Sequence, residues 1–190
     1  MRFRKPFRAN PRMALGGLPP LMEAVGASSA LVVSQGTTAT LTDAFFQNVT
    51  GVSVSGRMLT KTAASGWGNS FASSINPITS NTQFSTNEVT FQKMAGLTHT
   101  ISDSSFDTID FGIYLAGSTI DIFEDGTEVG ISVGTANIND VFEVKLLAGV
   151  VTYLKNGTLL YTSLKSPTTP LYFAAAFYNQ NAVLTNVGIT

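Results

Sequence analysis

The stretch VFEVKLL at residues 141–147 and the stretch VTYLK at residues 151–155 alternate largely between apolar and polar side chains. Alternation with a period of two is typical of half-buried β-strands, because successive side chains point to opposite faces. Asn156-Gly157 follows and leads into TLLYT at residues 158–162. Both turn residues tolerate the positive φ of a type I′ turn. This part of the chain therefore predicts tight antiparallel hairpins.

The same pattern of alternating stretches and turn dipeptides continues toward the N-terminus, where Asp125-Gly126 predicts a second hairpin turn. Helical periodicity is hard to find, and turn residues separate the apolar runs. The predicted strands are residues 41–46, 51–60, 83–94, 109–115, 119–124, 128–133, 141–147, 150–155, 158–163, 171–177 and 182–189. We therefore expect an all-β, two-sheet antiparallel sandwich or jelly roll at residues 36–190, preceded by an extended N-terminal arm at residues 1–35.

Composition supports a turn-rich β protein. Charged residues make up 12% of the 190 residues and hydrophobic residues 44%, a balance that favours one sizeable core over disorder. The sequence contains no cysteine. Disulfides, zinc-thiolate sites, iron–sulfur clusters and thiol catalysis are therefore excluded.

Basic residues are concentrated at the N-terminus, although the formal net charge of the chain is −1. The basic residues ahead of the first apolar run are Arg2, Arg4, Lys5, Arg8 and Arg12. We interpret them as an assembly arm that docks on an acidic partner, a nucleic acid or an anionic membrane; a solubilising or disordered start is the alternative. Pro19-Pro20 and Glu23 interrupt the apolar region that a secretory leader needs, so we expect no leader.

A series of short stretches, taken in order, resembles a known family. The stretches are GWGNS (66–70), VTF (89–91), MAGL (94–97), IDFGI (109–113), DVFEV (140–144), VTYLKNG (151–157) and PLYFAAA (170–176). Across residues 41–190 they resemble the concanavalin A-like lectin/glucanase fold, and more narrowly the sandwich modules of bacteriophage tail, spike and surface-adhesion proteins, with affinities to SPRY-type and laminin-G-type domains. The resemblance implies two facing sheets of about six or seven strands each, often with a concave face that accepts sugar.

Residues for catalysis are sparse. Glucanases of this superfamily carry carboxylates that point the same way from one strand, whereas Asp121 and Glu124 are three apart and face opposite sides. Glu143 stands alone among apolar neighbours and is expected on the outer face of its strand. His99 is the only histidine and lacks a nucleophile motif. We therefore expect no catalytic residues, no metal site, no cofactor and no enzymatic activity.

Candidate glycan contacts are Trp67, Tyr153 and Tyr178, because aromatic rings can stack on sugar rings. In the modules that this chain resembles, the tryptophan packs inward at the start of an early strand. The resemblance thus favours a core position for Trp67, with an exposed sugar platform as the alternative. Tyrosines on strands pose the same choice.

These observations predict a non-enzymatic virion structural protein of a bacteriophage: a capsid decoration, fibre or spike module in the virion. Its arm would anchor it to other virion subunits, its sandwich would contact the host surface or a cell-surface glycan, and its oligomer would be a trimer, as phage fibres and spikes commonly are. The alternative is a free carbohydrate-binding protein, extracellular or at the cell surface. We expect no membrane insertion, and no nucleic-acid binding by the sandwich.

Overall fold

The computed structural model describes residues 42–43, 46–101 and 105–190 of the chain. Within these ranges the regular structure consists of fifteen strands and one 3₁₀ turn, Phe106–Thr108. The strands are β1 (Thr42–Asp43), β2 (Phe46–Thr50), β3 (Val52–Ser55), β4 (Met58–Lys61), β5 (Phe71–Ser74), β6 (Asn81–Ser85), β7 (Lys93–Thr98), β8 (Phe111–Ala116), β9 (Thr119–Glu124), β10 (Thr127–Thr135), β11 (Val141–Leu147), β12 (Val150–Lys155), β13 (Thr158–Thr162), β14 (Tyr172–Phe177) and β15 (Val183–Ile189).

The strands form two antiparallel sheets. The eight-stranded sheet has the order β13-β12-β11-β6-β15-β4-β3, with β1 pairing beside β15. The seven-stranded sheet has the order β10-β9-β8-β7-β14-β5-β2. Sequence neighbours pair as hairpins, whereas β6, β7, β14 and β15 pair with strands that are distant in the chain. The prediction of an all-β, two-sheet antiparallel sandwich is confirmed.

The inner core lies between the two sheets and takes alternate residues from their strands. Phe111, Ile113 and Leu115 of β8 are buried in it from the seven-stranded sheet. From the eight-stranded sheet, Phe84 stacks on Phe142 with ring centroids 5.5 Å apart. Burying such a side chain contributes roughly 1.5–3 kcal/mol. The period-two pattern thus supplies the apolar face with which each sheet closes on the other.

Two predicted hairpin turns are present. Asn156 and Gly157 have φ of 51° and 76°, and Asp125 and Gly126 have φ of 48° and 72°. Two consecutive residues with positive φ define the type I′ geometry, whose twist matches that of the flanking strands. They connect β12 to β13 and β9 to β10. These dipeptides therefore determine local pairing directly.

Some predicted strands have different bounds. The predicted strand 83–94 is two strands, β6 and β7, which lie in different sheets. Val89 and Phe91 in the connecting loop pack against the inner core, so their apolar spacing imitates a strand. The predicted strand 51–60 is a hairpin, β3 and β4, around Gly56, whose φ is 56°. Strand β5 was not predicted, because all four of its residues are buried and no alternation marks it.

The N-terminal arm, with Arg2, Arg4, Lys5, Arg8 and Arg12, lies outside the described residues. Its assembly role and the division at residues 35 and 36 stay predictions. In the part of the chain that the structure describes, no helix has the length and apolar character needed to cross a membrane.

Candidate functional site

The seven-stranded sheet carries apolar side chains on both of its faces. On the face turned away from the inner core, the buried residues are Phe71, Met94, Ala174, Ala176 and, from the segment before β8, Ile109. Strand register places Phe71, Ala176 and Met94 side by side across β5, β14 and β7. Together they form an apolar floor on a surface that a two-layer sandwich does not need to bury.

Five aromatic rings lie on or beside this floor, and we call them the outer aromatic cluster. They are Trp67, Phe106, Tyr114, Phe123 and Tyr178. The Trp67 ring centroid lies 4.9 Å from that of Phe106, 5.6 Å from Tyr178 and 6.1 Å from Tyr114. The ring of Phe123 meets those of Tyr114 and Phe106 edge-on at 5.4 Å and 6.4 Å. Trp67 is thus the centre of a contiguous aromatic surface.

The cluster is only partly buried. Trp67, Phe106, Tyr114 and Phe123 are all half-buried, and Tyr178 is 36% exposed. The rings pack against one another, so their side chains are already ordered before a ligand arrives. Binding a ligand to their exposed edges and faces therefore costs little further side-chain entropy. Such a surface can receive an apolar face of a ligand without rearrangement.

The segment before β8 crosses the sheet and brings Phe106 to the cluster. The Thr98 hydroxyl donates to the carbonyl oxygen of Thr108 at 2.7 Å, which fixes this segment at the end of β7. Gly112 provides room beneath it: a Cβ at that position would lie 2.7 Å from Sδ of Met94 and 3.4 Å from Cγ2 of Ile109. Glycine on β8 therefore lets the Met94 and Ile109 side chains lie close against the sheet.

The loop between β4 and β5 brings Trp67 from the opposite side. Its Gly66 amide donates to the carbonyl oxygen of Tyr178 at 2.7 Å, and the Ser65 hydroxyl accepts the amide of Gln180 at 3.1 Å. The Asn69 side chain donates to Ala64 within the loop at 3.0 Å. These hydrogen bonds join the loop to the residues after β14, and they thereby hold Trp67 next to Tyr178.

Carboxylates lie beside the aromatic rings. Asp121 of β9 is the cross-strand partner of Tyr114, and Glu128 of β10 is the cross-strand partner of Phe123. Asp121 accepts a hydrogen bond from the Ser132 amide at 2.6 Å. Burial raises the pKa of Tyr114, and the negative charges of Asp121 and Glu128 raise it further. The Tyr114 phenol therefore stays protonated and available as a hydrogen-bond donor at neutral pH.

The structure distributes the three predicted glycan contacts over two places. Trp67 lies in the outer aromatic cluster, so the expectation that it packs between the sheets is wrong. The reason is that its loop returns over the outer face before β5 begins. Tyr178 lies beside Trp67 and is exposed. Tyr153 is 0% exposed and donates to the Glu124 carboxylate at 3.0 Å inside the core, so its ring is not available to a ligand.

Sequence reasoning missed Phe106, Tyr114 and Phe123. Tyr114 and Phe123 carry a signal that was available: each falls on the opposite parity from the inner-core residues of its own strand. An aromatic residue at the polar parity of a strand indicates a second apolar surface. Phe106 carries no such signal, because its position depends on how the segment before β8 crosses the sheet.

The predicted parity of the acidic residues is confirmed. Asp121 bonds to Ser132 on the outer face, whereas Glu124 bonds to Tyr153 inside. Glu143 lies on the outer face of the eight-stranded sheet, where Lys145 pairs with it at 2.9 Å. Parity along one strand says nothing about neighbouring strands. Pairing of β10 with β9 places Glu128 on the same face as Asp121.

His99 forms a local pair rather than a triad. Its Nδ1 lies 2.5 Å from Oδ2 of Asp110, and the same carboxylate oxygen accepts the His99 backbone amide at 2.7 Å. The His99 side chain is 44% exposed. Among the described residues, no group of three or more His, Asp or Glu side chains is placed to hold a metal ion.

Comparison with solved structures places this architecture among known folds. The human SPRY domain superposes with a TM-score of 0.58 at 13% identity, over 76% of this chain and 96% of that domain. The calcium- and Man3GlcNAc-bound lumenal domain of VIP36 scores 0.47 at 12% identity, over 76% and 83%, and the alginate lyase AlgAT5 of polysaccharide lyase family 7 scores 0.47 at 15% identity, over 76% and 82%. No protein-family model and no curated protein matches the sequence.

The chain therefore has the concanavalin A-like fold. At this level of identity the likeness extends to the fold alone, because this architecture is shared by proteins with unrelated functions.

Proposed function

We propose that the protein is a non-enzymatic carbohydrate-binding module that holds a glycan on the outer aromatic cluster. One observation carries the proposal: partly exposed aromatic rings, centred on Trp67, occupy the face of the seven-stranded sheet that is not needed for the inner core. Ligand sites are mostly apolar and contain a few well-placed polar groups. The Tyr114 phenol and the Asp121 and Glu128 carboxylates beside the rings supply such groups.

Aromatic side chains suit this task because of the shape of a sugar ring. One face of a pyranose presents C–H groups, which pack on an aromatic face, while its hydroxyl groups point outward toward polar partners. Trp67 and Tyr178 lie 5.6 Å apart at an interplanar angle of 56°. This arrangement offers two ring surfaces in a corner, which fits one sugar unit better than an extended flat ligand.

The charge around the cluster favours neutral glycans. Asp121 and Glu128 act on Tyr114, and the exposed Asp107 directly follows Phe106. Like charges brought together in a partly desolvated site cost free energy. We therefore expect glycans that carry uronic or sialic acid to bind more weakly than neutral ones.

The absence of enzymatic activity is part of the proposal. Glycoside hydrolysis needs two carboxyl groups at a suitable separation, one of which is available as an acid. Asp121 is engaged with the Ser132 amide and is nearly buried, which suits a positioning role better than nucleophilic attack. A reducing-end assay on any bound glycan tests this directly, and release of new reducing ends would overturn it.

Binding is tested by screening neutral and acidic oligosaccharides, with Trp67 fluorescence as the titration signal, since Trp67 is the only tryptophan. Tyr178→Ala should weaken binding roughly tenfold or more, equivalent to about 1.4 kcal/mol. Leu159→Ala is the matched control, because Leu159 is exposed on β13 of the other sheet. Equal affinity of both variants and the parent would contradict a site at the cluster.

The charge asymmetry of the sequence supports a second proposal: the module belongs to a virion and its basic arm, residues 1–35, docks it on other virion subunits as an oligomer. Light scattering at matched concentration and salt, with and without residues 1–35, tests the arm. Loss of a defined oligomer on truncation supports the proposal. Two indistinguishable monomers would leave a free, extracellular or cell-surface carbohydrate-binding protein as the better description.

A further inference from the structure

Lys61 is a buried cation with four oxygen partners. It is the last residue of β4, its exposure is 0%, and its side chain runs from the eight-stranded sheet toward the end of β14 in the other sheet. Its Nζ donates to the carbonyl oxygens of Gly66 at 2.6 Å, Tyr178 at 2.8 Å and Phe177 at 2.9 Å. The fourth oxygen is Oδ1 of Asn69, at 2.8 Å, so the three N–H groups of the ammonium are shared among four acceptors.

These four oxygens belong to the two segments that supply Trp67 and Tyr178. Gly66 and Asn69 flank Trp67 in the loop between β4 and β5, and the Tyr178 carbonyl belongs to the exposed tyrosine itself. We propose that Lys61 is the positioning residue of the outer aromatic cluster: its ammonium group holds the Trp67 loop against the end of β14 and so sets the distance between the two rings.

Neighbouring hydrogen bonds converge on the same oxygens. The Tyr178 carbonyl also accepts the Gly66 amide at 2.7 Å, and the Phe177 carbonyl also accepts the Ser70 hydroxyl at 2.8 Å. Lys61 thus completes a network that already links the loop to β14. A carbonyl oxygen has two lone pairs, so both donors can be accommodated at once.

The choice of partners distinguishes Lys61 from Lys93, which is also fully buried. Lys93 pairs with the carboxylate of Glu88, which compensates its charge. All four partners of Lys61 are neutral oxygens, and its burial lowers the pKa of the amino group. A buried ammonium without a carboxylate is costly to keep unless its hydrogen bonds are satisfied. Lys61 therefore contributes chiefly by orienting the groups it binds.

The consequence for glycan affinity rests on the proposed function, whereas the positioning of Trp67 does not. The test compares Lys61→Met with the matched control Lys93→Met, both in the full chain. Both variants remove a buried amine, so both should lower the melting temperature. Only Lys61→Met should shift the Trp67 emission maximum to longer wavelength, increase its quenching by acrylamide and weaken neutral-glycan binding by roughly tenfold. Lys93→Met should leave emission unchanged and affinity within about twofold.

Unchanged Trp67 emission and quenching in folded Lys61→Met would overturn the proposal. If Lys61→Met does not fold, Asn69→Ala replaces it: loss of the one side-chain acceptor should produce a smaller shift in the same direction, and no shift would again overturn the proposal. If Trp67 responds as expected while no glycan binds even the parent protein, Lys61 keeps its positioning role and the proposed function fails.

Discussion

The seven-stranded sheet has two apolar faces that differ in composition and exposure. Its inner face supplies Phe111, Ile113 and Leu115, which are fully buried, whereas its outer face carries the half-exposed rings around Trp67. Burial of the inner face closes the sandwich, since both sheets contribute to it. Among the described residues, the loop before β5 and the segment before β8 bring Trp67 and Phe106 onto this outer face. A sandwich can fold with a polar outer face, and the proposed function assigns this aromatic one to contact with a glycan.

The largest difference should appear on truncation of one ring from each face. Phe111→Ala removes a fully buried ring from the inner face of the sheet and should lower the free energy of unfolding by about 3–5 kcal/mol, because it leaves a cavity. Phe123→Ala, in the half-buried cluster, should cost clearly less. Urea denaturation monitored by circular dichroism measures both. Equal losses would mean that the outer cluster is a second core rather than a contact surface.

The inner core, to which both sheets contribute, should also respond to alkaline pH. Burial raises the pKa of Tyr153 well above its usual range. The negative charge of Glu124 and its hydrogen bond with the phenol raise this pKa further. An unfolded tyrosine ionises near pH 10, so above that pH the unfolded state binds fewer protons and stability falls with rising pH. Tyr153 should contribute about 1.4 kcal/mol per pH unit to this loss.

Melting curves between pH 10 and 12 check this expectation, with tyrosinate absorbance as the record of ionisation. Tyr153→Phe should show a shallower loss over that range, although the raised pKa of Tyr114 contributes in the same direction. An unchanged slope would show that Tyr153 ionises in the folded state.

A smaller effect is expected from Gly112→Ala, which perturbs the outer face alone. The added methyl group would meet Sδ and Cγ of Met94 at 2.7 Å and 2.9 Å. Because the Met94 side chain is adaptable, the cost should be about 1–2 kcal/mol. Trp67 emission should change while the cooperative unfolding of the inner core persists. Loss of all cooperative unfolding would show that the two faces are energetically inseparable.

The smallest effect on stability is expected at Tyr178, the exposed member of the outer aromatic cluster. Tyr178→Ala should change the free energy of unfolding by less than about 1 kcal/mol, because the side chain is exposed, even though it should weaken glycan binding. Thermal and chemical denaturation measure the first effect and fluorescence titration the second. A loss of stability well above 1 kcal/mol without a loss of affinity would assign Tyr178 to the fold rather than to the site.

Local sequence signals predicted much of this architecture, because their physics is local. Positive φ at Asn156-Gly157 and Asp125-Gly126 determines hairpins without reference to the rest of the chain. Parity along β9 correctly placed Asp121 and Glu124 on opposite faces. The boundaries of β6 and β7 were wrong because loop residues that pack on the core have the spacing of a strand.

By itself, the sequence determined that the chain makes an antiparallel β-sandwich, since period-two alternation and turn residues act between near neighbours. Only the tertiary structure decided that Trp67 lies outside the core and Tyr153 inside it. The location of Trp67 depends on a loop that Lys61 ties to the Phe177 and Tyr178 carbonyls, more than a hundred residues away in the chain. The partner of Tyr153, Glu124, belongs to the other sheet. Neither contact exists until the two sheets have closed, so no local pattern in the sequence encodes them.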